Sequence, residues 1–214
     1  MPHLRPRAPE GMEQPPVLRG FEHIRRYWDR ANNSFAAKIL PGEYYVTCAD
    51  EAVITSLGSC VSACIRDRVF GIGGMNHFML PEAGGNKSIH AGDVTEAARY
   101  GSFAMEQLIN EILKAGGRRE NFEVKLVGGG QVIASMSSHV GDRNIAFARE
   151  YIEKEGLTVI GEDLGGASPR RVVYFPATGK VRVKKLRSQE VLAQERAYQD
   201  QVSQQKIEDD IELF

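Results

Sequence analysis

The stretch LGSCVSACIRDRVFGIGGMNHFML, residues 57–80, decides the fold because it contains two apolar segments around a charged turn. β-Branched, aromatic and small residues fill both segments, and Arg66-Asp67-Arg68 separates them. This pattern predicts two antiparallel strands joined as a β-hairpin. If Arg66 and Gly71 flank a four-residue loop, Cys60 lies directly opposite His77 on one face of the hairpin.

Further strands and helices are predicted on both sides of this hairpin. β-type runs, bounded by glycine, proline or charged residues, occur at residues 44–47, 52–55, 124–127, 157–160, 171–175 and 180–185. Apolar positions repeat with helical spacing from Asp93 to the Gly116-Gly117 stop, and a second helix is predicted from Asp142 to about Glu155. Strands that alternate with helices indicate an α/β or mixed α+β fold.

Composition divides the chain into three parts. Residues 1–40 are rich in proline, arginine and asparagine without a sustained apolar period, and are predicted to be an irregular extension. Residues 41–187 carry the strand and helix patterns and form the predicted folded domain. Residues 188–214 are rich in glutamine and acidic residues, which is typical of a polar helical or disordered tail.

The overall composition excludes several classes of protein. Of the 214 residues 42% are hydrophobic and 26% charged, which is ordinary for a globular protein. The net charge of −1 gives no general attraction for nucleic acid, and the basic run at residues 182–187 lacks interleaved aromatic residues. We find no signal peptide, no apolar run long enough for membrane insertion and no disulfide framework. We therefore expect a soluble, cytoplasmic protein that does not bind nucleic acid.

Cys60 and His77 are the residues of the hairpin that could carry chemistry. A thiol beside an imidazole is the arrangement that a nucleophilic cysteine requires. A buried, inert cysteine with a merely hydrogen-bonded histidine is the structural alternative. A one-residue bulge at Gly73-Gly74 would also turn His77 to the other face.

Two other kinds of site use nearby residues. A zinc site of Cys60, Cys64, His77 and His90 is disfavoured, since two residues four apart on a strand are separated by about 13 Å. A phosphate-binding loop at residues 128–130 lacks the following Lys-Ser/Thr and an immediate helix start, so a tight exit from a strand is preferred there.

Several short motifs occur together and in order. They are Leu57-Gly58-Ser59-Cys60-Val61, residues 73–81 (GGMNHFMLP), Arg99-Tyr100-Gly101, Lys125 with Gly128-Gly129, Gly141-Asp142-Arg143-Asn144 and Asp163-Leu164-Gly165-Gly166. Together these motifs closely resemble the CheD family of chemoreceptor glutamine deamidases, and the resemblance spans about residues 38–187.

The resemblance implies an activity and its residues. The family converts selected glutamine side chains of methyl-accepting chemotaxis proteins to glutamate. Its catalytic cysteine and histidine match Cys60 and His77, and its threonine matches Thr55, although Ser56 stands beside it. No metal or organic cofactor is implied. The implied fold is similar to that of a deamidating bacterial toxin, with layered β-sheets and outer helices.

The resemblance also implies binding partners, and two alternatives to the deamidase activity stay open. The receptors are the implied substrate, and some members also bind a CheC-type phosphatase. The same thiol could instead hydrolyse glutamyl methyl esters on receptors. A protein that retains the fold could also act as a non-catalytic adaptor for receptors or for the phosphatase, but an adaptor does not need Cys60, His77 and Thr55 together.

Overall fold

The computed structural model of the chain describes residues 8–80, 91–132 and 140–187, with residues 193, 197 and 198 of the C-terminal tail; for residues 91–99 it describes the backbone alone. In chain order the elements are β1 (Arg25–Asp29), β2 (Ser34–Lys38), β3 (Tyr44–Thr47), β4 (Ala52–Leu57), β5 (Val61–Asp67), β6 (Gly73–Asn76), α1 (Ala91–Lys114), a 3₁₀ turn (Arg119–Asn121), β7 (Phe122–Gly128), α2 (Val140–Lys154), β8 (Thr158–Leu164), β9 (Arg170–Phe175) and β10 (Lys180–Lys185).

The strands form two five-stranded mixed sheets. The first sheet has the order β1-β2-β4-β9-β10, in which only the β2–β4 pair is parallel. The second has the order β3-β6-β5-β7-β8, in which only the β7–β8 pair is parallel. The hairpin of residues 57–80 supplies β5 and β6, two of the three inner strands of the second sheet, which explains its strongly apolar sequence.

The sheets and helices are arranged in layers. Helix α1 packs on β3, β5 and β6, and α2 packs on β5, β7 and β8, so both helices cover the second sheet. One apolar cluster joins both sheets and both helices, with Leu57 and Tyr174 from the first sheet, Cys64 from the second, and Leu108 and Ile152 from the helices. The predicted mixed α+β class, with layered sheets and helices outside, is confirmed.

The predicted register of the β5–β6 hairpin is wrong by two residues. Arg66 pairs with Gly73, and Val61 pairs with Phe78 through a pair of backbone hydrogen bonds of 3.0 Å each. Cys60 is therefore not directly opposite His77. Because a shift of two residues preserves the alternation of side chains, both remain on the same face of the hairpin.

The register is displaced because the turn starts one residue later than predicted. The carboxylate of Asp67 accepts hydrogen bonds from the backbone N–H groups of Val69 and Phe70, at 2.8 and 3.0 Å. The N–H of Asp67 donates to the carbonyl of Ile72 at 2.8 Å and closes the hairpin. The loop has the predicted length of four residues but occupies positions 68–71, because an aspartate side chain stabilises the turn that follows it.

The prediction that residues 1–40 are irregular is wrong for β1 and β2. The strand β2 pairs with β4, and the Ala37 side chain is fully buried. In β1, Arg26 forms an ion pair of 2.8 Å with the fully buried carboxylate of Glu51. The residues of β1 and β2 lack a strand pattern of their own. The strand β2 is held by pairing with β4, and β1 is held by pairing with β2.

The other predicted elements agree with the structure to within a few residues. The second helix begins at Val140, two residues earlier than predicted, and the first ends before Gly116, which has the positive φ of a helix C-terminus. Neither described helix has the length and apolar character needed to cross a membrane. Most of residues 188–214 lie outside the described residues.

Candidate active site

Thr55 and His77, 22 residues apart in sequence, form a direct hydrogen bond. Thr55 Oγ1 lies 2.8 Å from His77 Nδ1 and 2.9 Å from the carbonyl oxygen of Ile39. A hydroxyl has one proton, and a carbonyl can only accept, so Thr55 donates to Ile39. His77 must then donate its Nδ1 proton to Thr55. This fixes the tautomer of the neutral imidazole and assigns the accepting role to Nε2.

Strand alternation places Thr55 and not Ser56 in the site. Thr55 lies between Val53 and Leu57 on the face of β4 that packs into the main core. Ser56 points to the opposite face of the first sheet. Of the two candidates for the third residue, the structure brings only Thr55 to His77.

The backbone pairing of Val61 with Phe78 brings Cys60 close to His77. Each precedes a member of this pair, so their side chains project together to the face opposite those of Val61 and Phe78. Cys60 and His77 are then diagonal neighbours across the hairpin, with a separation typically somewhat below about 7–8 Å between Cβ atoms. A long side chain such as histidine spans that distance.

All three predicted residues are buried. The exposed fraction is 0% for Cys60, 1% for Thr55 and 2% for His77. A polypeptide substrate can reach the thiol only if neighbouring groups move. Burial also excludes water from the imidazole, which strengthens its hydrogen bonds.

The backbone that precedes and contains Cys60 is held by three successive hydrogen bonds to its carbonyl groups. Gly130 N–H donates to Gly58 O at 2.8 Å, and Gly129 N–H donates to Cys60 O at 2.7 Å. Between them, Asn144 Nδ2 donates to Ser59 O at 2.9 Å. The glycine run of residues 128–130 is thus a support for the Cys60 segment.

Gly128 shows why this support needs glycine. Its φ is +122°, and a Cβ atom at this position would lie 2.2 Å from the carbonyl oxygen of Cys60. Only glycine adopts this conformation and permits such close approach. The prediction of a tight strand exit at residues 128–130 agrees with this geometry, whereas its contact with the Cys60 segment could not be inferred from local pattern.

Electrostatics distinguish the cysteines and identify one further neighbour. Burial raises the pKa of the Cys64 thiol, so Cys64 remains protonated, whereas Cys48 is exposed. The pKa of Tyr100 on α1 is also raised, first by burial and second by its electrostatic interaction with Cys60. Tyr100 therefore lies near Cys60, a proximity that its place in the Arg99-Tyr100-Gly101 motif does not predict.

The described residues contain no cluster of three or more histidine, cysteine or acidic side chains that could hold a metal ion. Cys60 and Cys64 lie along one strand, and His90 is outside the described residues. The zinc alternative therefore gains no support from the described part of the chain.

Comparison with known proteins identifies the family to which this chain belongs. A family model described as "CheD chemotactic sensory transduction" matches residues 79–185. A probable chemoreceptor glutamine deamidase CheD of Halorhodospira halophila is 53% identical over 208 residues, which cover 95% of this chain and 96% of that protein. The chain belongs to the CheD family.

Two further relatives extend this finding. The probable chemoreceptor glutamine deamidases CheD of Methylobacillus flagellatus and Hahella chejuensis are 50% and 47% identical, and the matches cover 88% and 94% of this chain. They cover 94% and 96% of those proteins. The family predicted from the motifs is thereby confirmed. The matched segment of the family model begins after Thr55, Cys60 and His77, so the roles of these residues rest on the geometry above and on resemblance.

Proposed function

We propose that this protein hydrolyses the side-chain amide of selected glutamines in methyl-accepting chemotaxis proteins, with Cys60, His77 and Thr55 as its catalytic site. The observation that carries the proposal is the hydrogen bond of Thr55 to Nδ1 of His77, which directs Nε2 away from Thr55 on the hairpin face that carries Cys60. The relatives named chemoreceptor glutamine deamidases support the choice of reaction and substrate.

The first half of the reaction forms a thioester. The Cys60 thiolate attacks the carboxamide carbon of the substrate glutamine, and the carbonyl oxygen becomes an oxyanion. A backbone N–H near Ser59 and Cys60 stabilises this oxyanion. As the tetrahedral intermediate collapses, the C–N bond breaks and the His77 imidazolium gives its proton to the departing ammonia.

The second half of the reaction restores the enzyme. His77, now neutral, accepts a proton from water at Nε2, and the resulting hydroxide equivalent attacks the thioester carbon. The C–S bond breaks, glutamate leaves and the thiolate re-forms beside the imidazolium. The net change is one amide and one water converted to one carboxylate and ammonium, and the chemistry requires no metal or organic cofactor.

Thr55 orients His77 through both half-reactions. Its oxygen accepts the Nδ1 proton whether the imidazole is neutral or charged, so Nε2 is always the nitrogen that exchanges a proton. This is the task of the third member in a nucleophile–base–orienter triad.

Access to the buried thiol is part of the proposal. Cys60 and His77 are at most 2% exposed, so binding of the receptor helix must displace groups that cover them. Such opening on binding exposes the thiol only when the substrate is in place. A CheC-type phosphatase as a second partner remains a prediction from the resemblance, and a cytoplasmic location remains a prediction from the composition.

A receptor fragment analysed by mass spectrometry tests the activity. Conversion of glutamine to glutamate adds about 1 Da, whereas hydrolysis of a glutamyl methyl ester removes about 14 Da, and an adaptor changes neither; cysteine nucleophiles of the kind proposed support either hydrolysis. We expect the gain of about 1 Da at specific glutamines with the wild-type protein and not with Cys60→Ala. A mass that stays unchanged with folded wild-type protein would contradict the proposed function.

A further inference from the structure

The side-chain amide of Asn144 forms hydrogen bonds to the two backbone segments that carry Cys60 and His77. Its Nδ2 donates to the carbonyl of Ser59 at 2.9 Å, and its Oδ1 accepts from the N–H of Leu80 at 2.9 Å. The residue is fully buried, with 0% exposure. One segment immediately precedes Cys60 and the other closely follows His77.

The start of α2 is built to bring Asn144 to this place. Gly141 lies in the first turn of the helix, and a Cβ atom there would lie 2.6 Å from the carbonyl oxygen of Gly129. The helix therefore approaches the glycine run of residues 128–130 more closely than a larger residue would permit. The same glycine run holds the carbonyl groups of Gly58 and Cys60.

We propose that Asn144 is a positioning residue for the nucleophile, an inference that rests on the proposed function. The Ser59–Cys60 peptide is planar and trans, so its carbonyl and N–H point in opposite directions. A hydrogen bond from Asn144 to the Ser59 carbonyl therefore fixes the direction of the Cys60 N–H and the position from which the Cys60 side chain departs. The bond to Leu80 holds the His77 segment at a constant distance from the same plane.

The expected effect on turnover follows from the geometric tolerance of catalysis. A displacement of about 1 Å at a reacting group costs about 100-fold in rate. Without Asn144 the Ser59 carbonyl loses this hydrogen bond in a part-buried region, and its peptide plane is no longer held in one orientation. We therefore expect kcat to fall about 100-fold while KM changes less than about threefold, because substrate contacts are not removed.

The test compares three variants of Asn144 with a matched control. Asn144→Asp keeps the acceptor for the Leu80 N–H but replaces the donor to Ser59 by a carboxylate oxygen. Asn144→Ala removes both contacts, and Asn144→Ser keeps a smaller polar group. The control is Asp67→Asn, which disturbs an equally buried side chain at the opposite end of β5.

The control separates positioning from general stability. Asp67 accepts three backbone hydrogen bonds, from Val69, Phe70 and Arg118, so its replacement lowers the melting temperature. We expect Asp67→Asn to keep kcat within about twofold of wild type at a temperature where it is folded, because asparagine keeps the Oδ1 acceptor for the N–H groups of Val69 and Phe70 and so preserves the register of the hairpin. Position 67 also lies about 20 Å from Cys60 along the strand. The Asn144 variants should lose kcat at that temperature.

A second readout does not depend on deamidation. In a Cys48→Ser background, the rate of Cys60 alkylation by iodoacetamide reports thiol position and access. We expect that rate to change at least about tenfold in Asn144→Asp and less than about twofold in Asp67→Asn, since reactivity follows the environment of the thiolate. If the wild type lacks deamidase activity, the proposed function fails while this comparison still tests the positioning.

Two outcomes would overturn the inference. One is a folded Asn144→Asp or Asn144→Ala protein with wild-type kcat and wild-type alkylation rate. The other is failure of all three Asn144 variants to fold at 10 °C while Asp67→Asn folds, which would assign Asn144 to the stability of the fold and not to the nucleophile.

Discussion

Thr55→Val removes one hydroxyl from the centre of the proposed site and keeps nearly the same side-chain shape. The Nδ1–H of His77 and the carbonyl of Ile39 then lose the Thr55 hydroxyl in a region where all three residues are at most 2% exposed. An unsatisfied buried polar group costs about 1–3 kcal/mol, so the two together should lower the free energy of unfolding by about 2–6 kcal/mol. Because a domain is typically stable by about 5–15 kcal/mol, the variant should fold but melt at a lower temperature.

The effect on activity should exceed the effect of lower stability. Without the Thr55 hydroxyl, the neutral imidazole of His77 is free to carry its proton on Nε2 and to rotate. Loss of a charged orienting group in a serine protease triad costs about 10⁴-fold in kcat. A neutral hydroxyl makes a hydrogen bond about half as strong, so we expect kcat to fall about 10- to 100-fold. Deamidation of a receptor fragment, followed by mass at a temperature where the variant is folded, measures this.

Thr55→Ser is the matched control. It keeps the hydroxyl and removes one buried methyl group, which should cost about 1 kcal/mol of stability and leave kcat within about fivefold of wild type. A folded Thr55→Val protein with lowered melting temperature but a kcat within twofold of wild type would refute the orienting role of Thr55. So would equal losses of kcat in the serine and valine variants.

Three other predictions follow from the described contacts. Cys60→Ala should abolish deamidation in a folded protein, whereas alanine at Cys48 or Cys64 should leave most of the activity, and its loss in either would require a different nucleophile. Alkylation of Cys60 should be half-maximal below the ordinary thiol pKa of about 8.5, and His77→Ala should move that midpoint upward, because an imidazolium favours the thiolate; an unchanged midpoint would mean that the two side chains do not interact. Cys64 should stay unreactive over the same pH range, since burial raises its pKa. Deletion of residues 1–40 should abolish the cooperative thermal transition, because it removes β1, β2 and the ion pair to a buried carboxylate; a transition like that of the full chain would contradict the place of these strands in the fold.

The local sequence pattern was sufficient to predict a strand or helix where the residues of that element show the expected alternation or a terminating glycine. The strand β10 matches its predicted range at both ends, since residues 180–185 alternate in a strand bounded by a turn. The first helix ends at its predicted glycines. By contrast, β1 and β2 carry no such pattern. The strand β2 is held by pairing with β4, a segment more than a dozen residues away, and β1 is held by pairing with β2.

In the β5–β6 hairpin, residue spacing predicted the shared face of two side chains correctly but not the register of the strands. Alternation predicted that Cys60 and His77 share a face, and they do, whereas their direct opposition was wrong by two residues. The error arose at Asp67, whose side chain forms hydrogen bonds to the turn and moves the loop by one residue. The register of the hairpin therefore depends on the hydrogen bonds of the Asp67 side chain to the turn, which cannot be predicted from the number of loop residues.

The residue types, their order and their periodicity are properties of the sequence, and they were sufficient for the fold class, the family and the candidates Cys60, His77 and Thr55. Contacts between distant side chains cannot be predicted in this way, because they depend on how segments far apart in the sequence are aligned in the fold. The tertiary structure selects Thr55 over Ser56 by the face of β4, and it brings Asn144 to the Ser59 carbonyl across 85 residues of chain. Periodicity is local, whereas a hydrogen bond between distant residues forms only after sheet register and helix packing have set both backbones in place.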